Sequence, residues 1–402
     1  MSKLRWYAVA ITVLFLGLAL LLADPAIRGS LRHQGTPEPA TTPSVGAGEV
    51  GCPVSELLVP RCGAWWGAAP GVFTGTPPIE ALRDFEAKTG QRARIYHRYH
   101  RGDDLFPTRS EIAAARDREG SRILLINWKV AWNSTWADVA AGGQDHRIDR
   151  LARHIRSTFP EKFFLAIHHE PENDVDLDPG SGMTPEDYAA MYRHTVQRLR
   201  DQGVENAVFV MAYMGYQGWG VKPWFGDLYP GDDVVDWIGY DPYVSADPDA
   251  HHHGDFAELV NQTTDPDRWP GFYNWARKAH PDKPLMLSEW GVFEYAADPG
   301  NKREIFASVQ RQLPDYPALK ALVYFDSPRA PRGDTRIDSS PQALAAFRVI
   351  ANLPVWSILR PYFTFPLAPS VSLSASASPT VPPSPSGTMA TRTSTARQRR
   401  LE

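Results

Sequence analysis

Residues 163–170 read FFLAIHHE, and residues 284–291 read PLMLSEWG. Each is a short apolar run that closes on a glutamate. Apolar runs of this length, without strict alternation, fit strands buried on both faces of a parallel sheet. The same reading applies at 62–68 (CGAWWGA), 92–97 (RARIYH), 122–128 (RILLINW), 206–213 (NAVFVMAY), 234–240 (VVDWIGY) and 320–325 (KALVYF). With 163–169 and 284–289 they make eight strand candidates. Helix-like segments fit between them. The clearest is 185–202: Thr184 can cap it, Pro185 suits its first position, and Glu186 and Asp187 favour its positive end. Tyr188, Met191, Tyr192, Thr195, Val196 and Leu199 recur on one face, and Gly203 ends it. Ser340-Pro341 opens a last helix in the same way. Strand–helix alternation over roughly 300 residues predicts an α/β fold, a (β/α)8 TIM barrel. A doubly wound open sheet is the alternative. It would carry a Gly-rich phosphate loop after the first strand, and the sequence has none there.

Outside this body the composition changes. Lys3 and Arg5 precede an apolar run at 6–23, which reads as a signal peptide or signal anchor. No small-x-small cleavage site follows, and the run is long enough to span a bilayer, so membrane anchoring through residues 6–23 is an open expectation. The expected location is therefore secreted or extracellular and membrane-anchored. Residues 24–50 read as a flexible linker and 357–402 as a Ser/Pro/Thr-rich disordered tail, leaving 51–356 as the single folded domain. Cys52 and Cys62 are the only cysteines, and in an oxidising compartment they are expected to pair. A net charge of -4 gives no reason to expect nucleic acid as a partner, and a monomer is expected.

Barrel sites are built at the C-terminal ends of the strands. Four candidate strands run into a carboxylate there: Glu170, Asp241, Glu289 and Asp326. Two carboxylates across a pocket are what glycosidic cleavage needs, one to protonate the leaving oxygen and one to attack the anomeric carbon or activate water. An ion pair with a neighbouring Arg or Lys is the bland reading of any single one. Glu170 behind paired histidines and Glu289 beside Trp290 favour chemistry. Glu172, two residues on, competes with Glu170 but lies farther from the strand end. Trp65, Trp128 and Trp290 are candidates for stacking on sugar, and 13 Trp in 402 residues suits a carbohydrate site. The run His251-His252-His253 is not read as a metal site, because adjacent imidazoles do not readily converge on one ion. No cofactor is expected.

A glutamate closing the fourth strand and another closing the seventh resembles the large (β/α)8 clan of retaining glycosidases. His169 before Glu170, Trp128-Lys129 after the third strand and Tyr243 in WIGYDPY resemble glycoside hydrolase family 26, the mannanase family. The resemblance covers roughly 60–350 and implies Glu170 as acid/base and Glu289 as nucleophile, with their carboxyl groups about 5–5.5 Å apart. It implies that His169 orients the catalytic groups or substrate and that Tyr243 hydrogen-bonds the nucleophile. The stretch Pro171-Glu172-Asn173-Asp174-Val175-Asp176 departs from the family pattern and sets Asn173 beside the acid. The implied substrate is a β-linked polysaccharide, with an endo-β-1,4-mannanase-like activity first. A β-1,3/1,4-glucanase or xylanase is the nearest alternative, and a non-catalytic surface polysaccharide-binding protein the alternative of another class.

Overall fold

The computed structural model describes residues 52–330 and 333–358. The fold lies within the unit that begins at Val54. Its strands are β1 (Trp65–Ala69), β2 (Ile95–Arg101), β3 (Ile123–Lys129), β4 (Phe163–Ile167), β5 (Ala207–Tyr213), β6 (Trp237–Tyr240), β7 (Tyr243–Ser245), β8 (Leu285–Phe293) and β9 (Leu319–Phe325). From β1 to β6 neighbours pair in chain order, all parallel; β6 then pairs with β8, β8 with β9, and β9 with β1. The sheet therefore closes on itself as an eight-stranded parallel barrel, with β7 laid against the far end of β8.

The chemistry of the segments explains the elements. Phe163–Ile167 is buried throughout, between the barrel interior and the outer helices. The helix Pro185–Asp201 begins as its sequence predicts: Thr184 and Asp187 form a reciprocal capping box, and Pro185 occupies the first turn. Such a cap contributes about 1 kcal/mol. Tyr188, Met191, Tyr192, Thr195, Val196 and Leu199 form its buried face.

Most strand boundaries shift by a few residues from expectation, and local chemistry accounts for the following features. β1 starts at Trp65 because Gly63 turns with φ +66°, against the Val355 carbonyl; a Cβ there would lie 2.1 Å from that oxygen. β5 is followed only by the short turns Gln217–Gly220 and Phe225–Leu228, since Gly218, Gly220, Pro223 and Gly226 interrupt any longer helix. β8 runs past Glu289 to Phe293 because β7 pairs with Gly291–Phe293.

The expectation of a membrane anchor is corrected. Among the described residues no helix is long and apolar enough to cross a membrane, and the run 6–23 that carried the expectation lies outside them. The linker 24–50 lies outside them too, as does the tail beyond 358. Cys52 and Cys62 are both disulfide-bonded.

Candidate active site

Glu289 sits inside β8, not at its end, and is 6% exposed. Its position is fixed by pairing: Tyr243 of β7 is in register with Gly291, and a Cβ on Gly291 would meet the Tyr243 ring at 2.7 Å. The missing side chain lets that ring lie against β8. Tyr243 Oη then donates to Glu289 Oε2 at 2.7 Å, and Tyr99 Oη, from β2, donates to Oε1 at 2.7 Å. Burial first, then the negative charge of Glu289, hold both phenols well above their usual range, so both remain donors. Burial pushes the Glu289 carboxyl up, while the two tyrosine bonds favour its charged form. A hydrogen bond to a charged group contributes about 1.5–3 kcal/mol.

Glu170 is presented differently. It follows β4 with φ +51°, and His168 also has φ +51°. Left-handed backbone at two non-glycine residues costs roughly 1–3 kcal/mol each, so the surroundings must impose it. Several bonds do so. His168 N donates to the Trp128 carbonyl and Glu170 N to the Ala212 carbonyl, each at 2.9 Å. Trp136 Nε1 donates to His168 Nδ1 at 3.3 Å, leaving His168 Nε2 to donate to Asp174 Oδ2 at 2.8 Å. Lys129 Nζ binds the same Asp174 oxygen at 2.8 Å. Glu172 is turned away from the cleft: both its oxygens accept from Met214 N at 3.0 Å. That ties the turn after β4 to the end of β5. Glu172 is thus a positioning group, and its neighbour two residues back faces the pocket.

The Glu170 carboxyl has one side-chain donor, Asn173 Nδ2, at 3.1 Å. Burial, then the charges of Glu289 and Glu172, raise it to about 8. Asp241, 3% exposed, is a third carboxyl here. Ser288 Oγ donates to its Oδ1 at 2.6 Å, while Oδ2 is buried with no partner. Burial, then Glu289 and Glu170, push Asp241 well above the usual carboxylate range. Three neighbouring buried carboxyls cannot all ionise. The charge belongs on Glu289, which has two hydroxyl donors, and the protons on Glu170 and Asp241.

Glu170, Asn173, Asp241 and Tyr243 line a cavity of about 350 Å³ together with residues following β5 and β7. Among the described residues no group of His, Cys, Asp and Glu is placed to hold a metal ion. A proton-bearing carboxyl beside a charged one, at the mouth of a pocket, can perform acid-assisted displacement at an acetal carbon.

Residues 177–267 match the model of Glycosyl hydrolase family 26, a stretch that holds Asp241 and Tyr243 and lies between Glu170 and Glu289. The chain is family-26-like in fold and in sequence. Endoglucanase H of Acetivibrio thermocellus is 27% identical over 300 residues, covering 69% of this chain and 30% of that protein. Beta-1,3-xylanase TXYA of a Vibrio species is 28% identical over 191 residues, covering 46% of this chain and 36% of that protein. This chain therefore spans about a third of the length of the curated relatives it matches. A ruminal GH26 endo-β-1,4-mannanase has the same fold, with a TM-score of 0.50 at 16% identity, over 73% of this chain and 64% of that one.

In this family-26-like barrel Glu170, Asn173 and Tyr243 line one pocket, and Tyr243 reaches Glu289. His169 is half-buried behind Tyr99, with ring centroids 5.8 Å apart, and does not line that pocket. Burial holds its imidazole well below its usual pKa, hence neutral. The three tryptophans require correction as sugar contacts. Trp128 and Trp290 are 0% exposed, and Trp65 is 3% exposed. Trp128 packs on Phe106 and donates to the Gly102 carbonyl; Trp290 packs among Phe256, Phe306, Tyr324 and Phe347. Trp65 donates to the Leu58 carbonyl. None offers a ring face to solvent, and each is core packing worth roughly 3–5 kcal/mol against alanine. Tyr99 was missed by the sequence reading. Its signal lay in strand parity, since His97 and Tyr99 share one face of β2 and that face meets the site.

Proposed function

We propose that the chain is a retaining glycoside hydrolase acting on β-linked polysaccharide, with Glu289 as nucleophile and Glu170 as general acid/base. The observation that carries this is the pairing of opposite environments: Glu289 between two tyrosine hydroxyls, Glu170 desolvated and raised to about 8. In the first step Glu289 attacks the anomeric carbon while Glu170 gives its proton to the departing oxygen. In the second, Glu170 takes a proton from water, which attacks the glycosyl-enzyme ester and frees Glu289. Asp241, protonated, would donate from Oδ2 to a bound hydroxyl. The chemistry also supports export, the compartment in which a polysaccharide and a disulfide would be met.

The mannan reading rests on the motifs around His169 and Tyr243. The names of the two curated relatives favour β-glucan or β-1,3-xylan as a second reading. A panel of mannan, mixed-linkage β-glucan, β-1,3-xylan and β-1,4-xylan decides it. Reducing ends released from one of them, with the β-anomer formed first by NMR, support the proposal. No release from any, or first formation of the α-anomer, overturns it.

A further inference from the structure

The pocket beside Glu170 contains side chains that the double displacement does not use. His252 and Tyr216 line it, with Gln262, Met214 and Leu259. We infer that His252, oriented by Gln262 and packed on Tyr216, forms the subsite for the sugar on the leaving-group side, and so helps determine which polysaccharide is cut. This rests on the glycosidase reading above.

The placement follows from the chemistry. Glu170 must reach the oxygen that departs, so the departing sugar lies on its side of the site. The pocket opens there, between Asn173 and the segments that follow β5 and β7. Its volume of about 350 Å³ falls within the roughly 300–1,000 Å³ range of small-ligand sites. Its wall mixes apolar, aromatic and polar groups, as the faces and hydroxyls of a pyranose require.

The wall is built, not loose. Ser245 N, at the end of β7, donates to the His252 carbonyl at 2.7 Å, tying the imidazole-bearing loop to the strand that carries Tyr243. Gln262 Nε2 donates to His252 Nδ1 at 2.7 Å. Because an amide nitrogen can only donate, Nδ1 is the acceptor, which fixes the orientation of the ring in the pocket wall. The Tyr216 ring meets the His252 ring edge-on, at 4.9 Å and 87°. Thr264 N donates to Gln217 Oε1 at 3.1 Å, which joins the segments after β5 and β7. Nothing in the sequence marked this: the histidine run read as a polar loop, and Gln262 is ten residues from its partner.

A β-glycosyl fluoride separates this subsite from the rest of the site, because it carries the glycone but no departing sugar. Wild type, His252→Ala and Gln262→Met are compared on an oligosaccharide of the preferred polysaccharide and on the matching disaccharyl fluoride. The ratio of the two kcat/KM values should fall at least about tenfold in His252→Ala and about threefold in Gln262→Met, a tenfold change being a difference of 1.36 kcal/mol. Fluoride turnover reports that each variant is folded. An unchanged ratio, whether both activities fall together or neither does, overturns the inference. A wild type that turns over neither substrate overturns instead the glycosidase reading beneath it.

Discussion

Glu289 and Glu170 face one site from opposite kinds of support. Glu289 lies within a strand, where β8 shifts register against β9 between Leu287 and Trp290, and both its oxygens receive phenolic hydrogen bonds. Glu170 stands just past a strand, in left-handed backbone, with one amide donor and a desolvated carboxyl. The first setting favours the charged carboxylate, the second the neutral acid. The difference teaches that the roles follow from hydrogen-bond donors and desolvation, since the two residues are chemically identical.

The largest effect should come from removing the charged partner. Glu289→Ala should lower polysaccharide turnover by about 10⁴-fold or more, and azide should restore part of it as a glycosyl azide of inverted configuration. Glu170→Gln should cost about 10²–10⁴-fold on polysaccharide but much less on a glycosyl fluoride, whose leaving group needs less protonation. It should also remove the alkaline limb of the wild-type profile, which the ionisation of Glu170 sets.

The same substitution has a stability consequence. Folded Glu170 keeps a proton that the unfolded chain releases, between the ordinary 4.5 and about 8. Stability therefore falls as pH rises through that window. Against wild type, Glu170→Gln should gain in Tm at pH 8 relative to pH 5, as followed by calorimetry. An equal Tm difference at both pH values would mean that Glu170 is not desolvated as described.

Tyr99→Phe sharpens the comparison from the Glu289 side. Losing one donor to the carboxylate should cost about 10–100-fold in kcat/KM. Because the lost bond favoured the charged form, Glu289 should titrate higher, and the acidic limb should move to higher pH. The smallest effect on turnover should come from Glu172→Gln. It weakens the clamp on Met214 N by about 1–3 kcal/mol, so Tm should drop by several degrees while turnover falls far less than in Glu170→Gln.

The barrel was legible because its strands are continuous apolar runs and its best helix carries cap, proline and periodic face together. Glu170 and Glu289 were singled out because barrel sites lie at the C-terminal ends of strands; Glu289 nevertheless lies inside β8, which runs on to Phe293. The tryptophans were misread because sequence cannot tell an indole on the barrel mouth from one buried in the packing. Trp290 follows Glu289 directly, and adjacent strand residues point to opposite sides. Tyr99 and His252 were missed for another reason. Their roles depend on pairings across 190 residues to Glu289 and on a loop folded back against β7. No local pattern encodes either.

One reagent distinguishes Glu289 as nucleophile from every other carboxyl in the site. A 2-deoxy-2-fluoroglycosyl fluoride of the preferred sugar slows hydrolysis of the covalent intermediate more than its formation, so the attacking residue stays labelled for peptide mapping by mass spectrometry. A single label on Glu289, absent from Glu289→Ala, is the expected result. A label on Glu170, Glu172 or Asp241, or no label from an enzyme whose product is inverted, would contradict it.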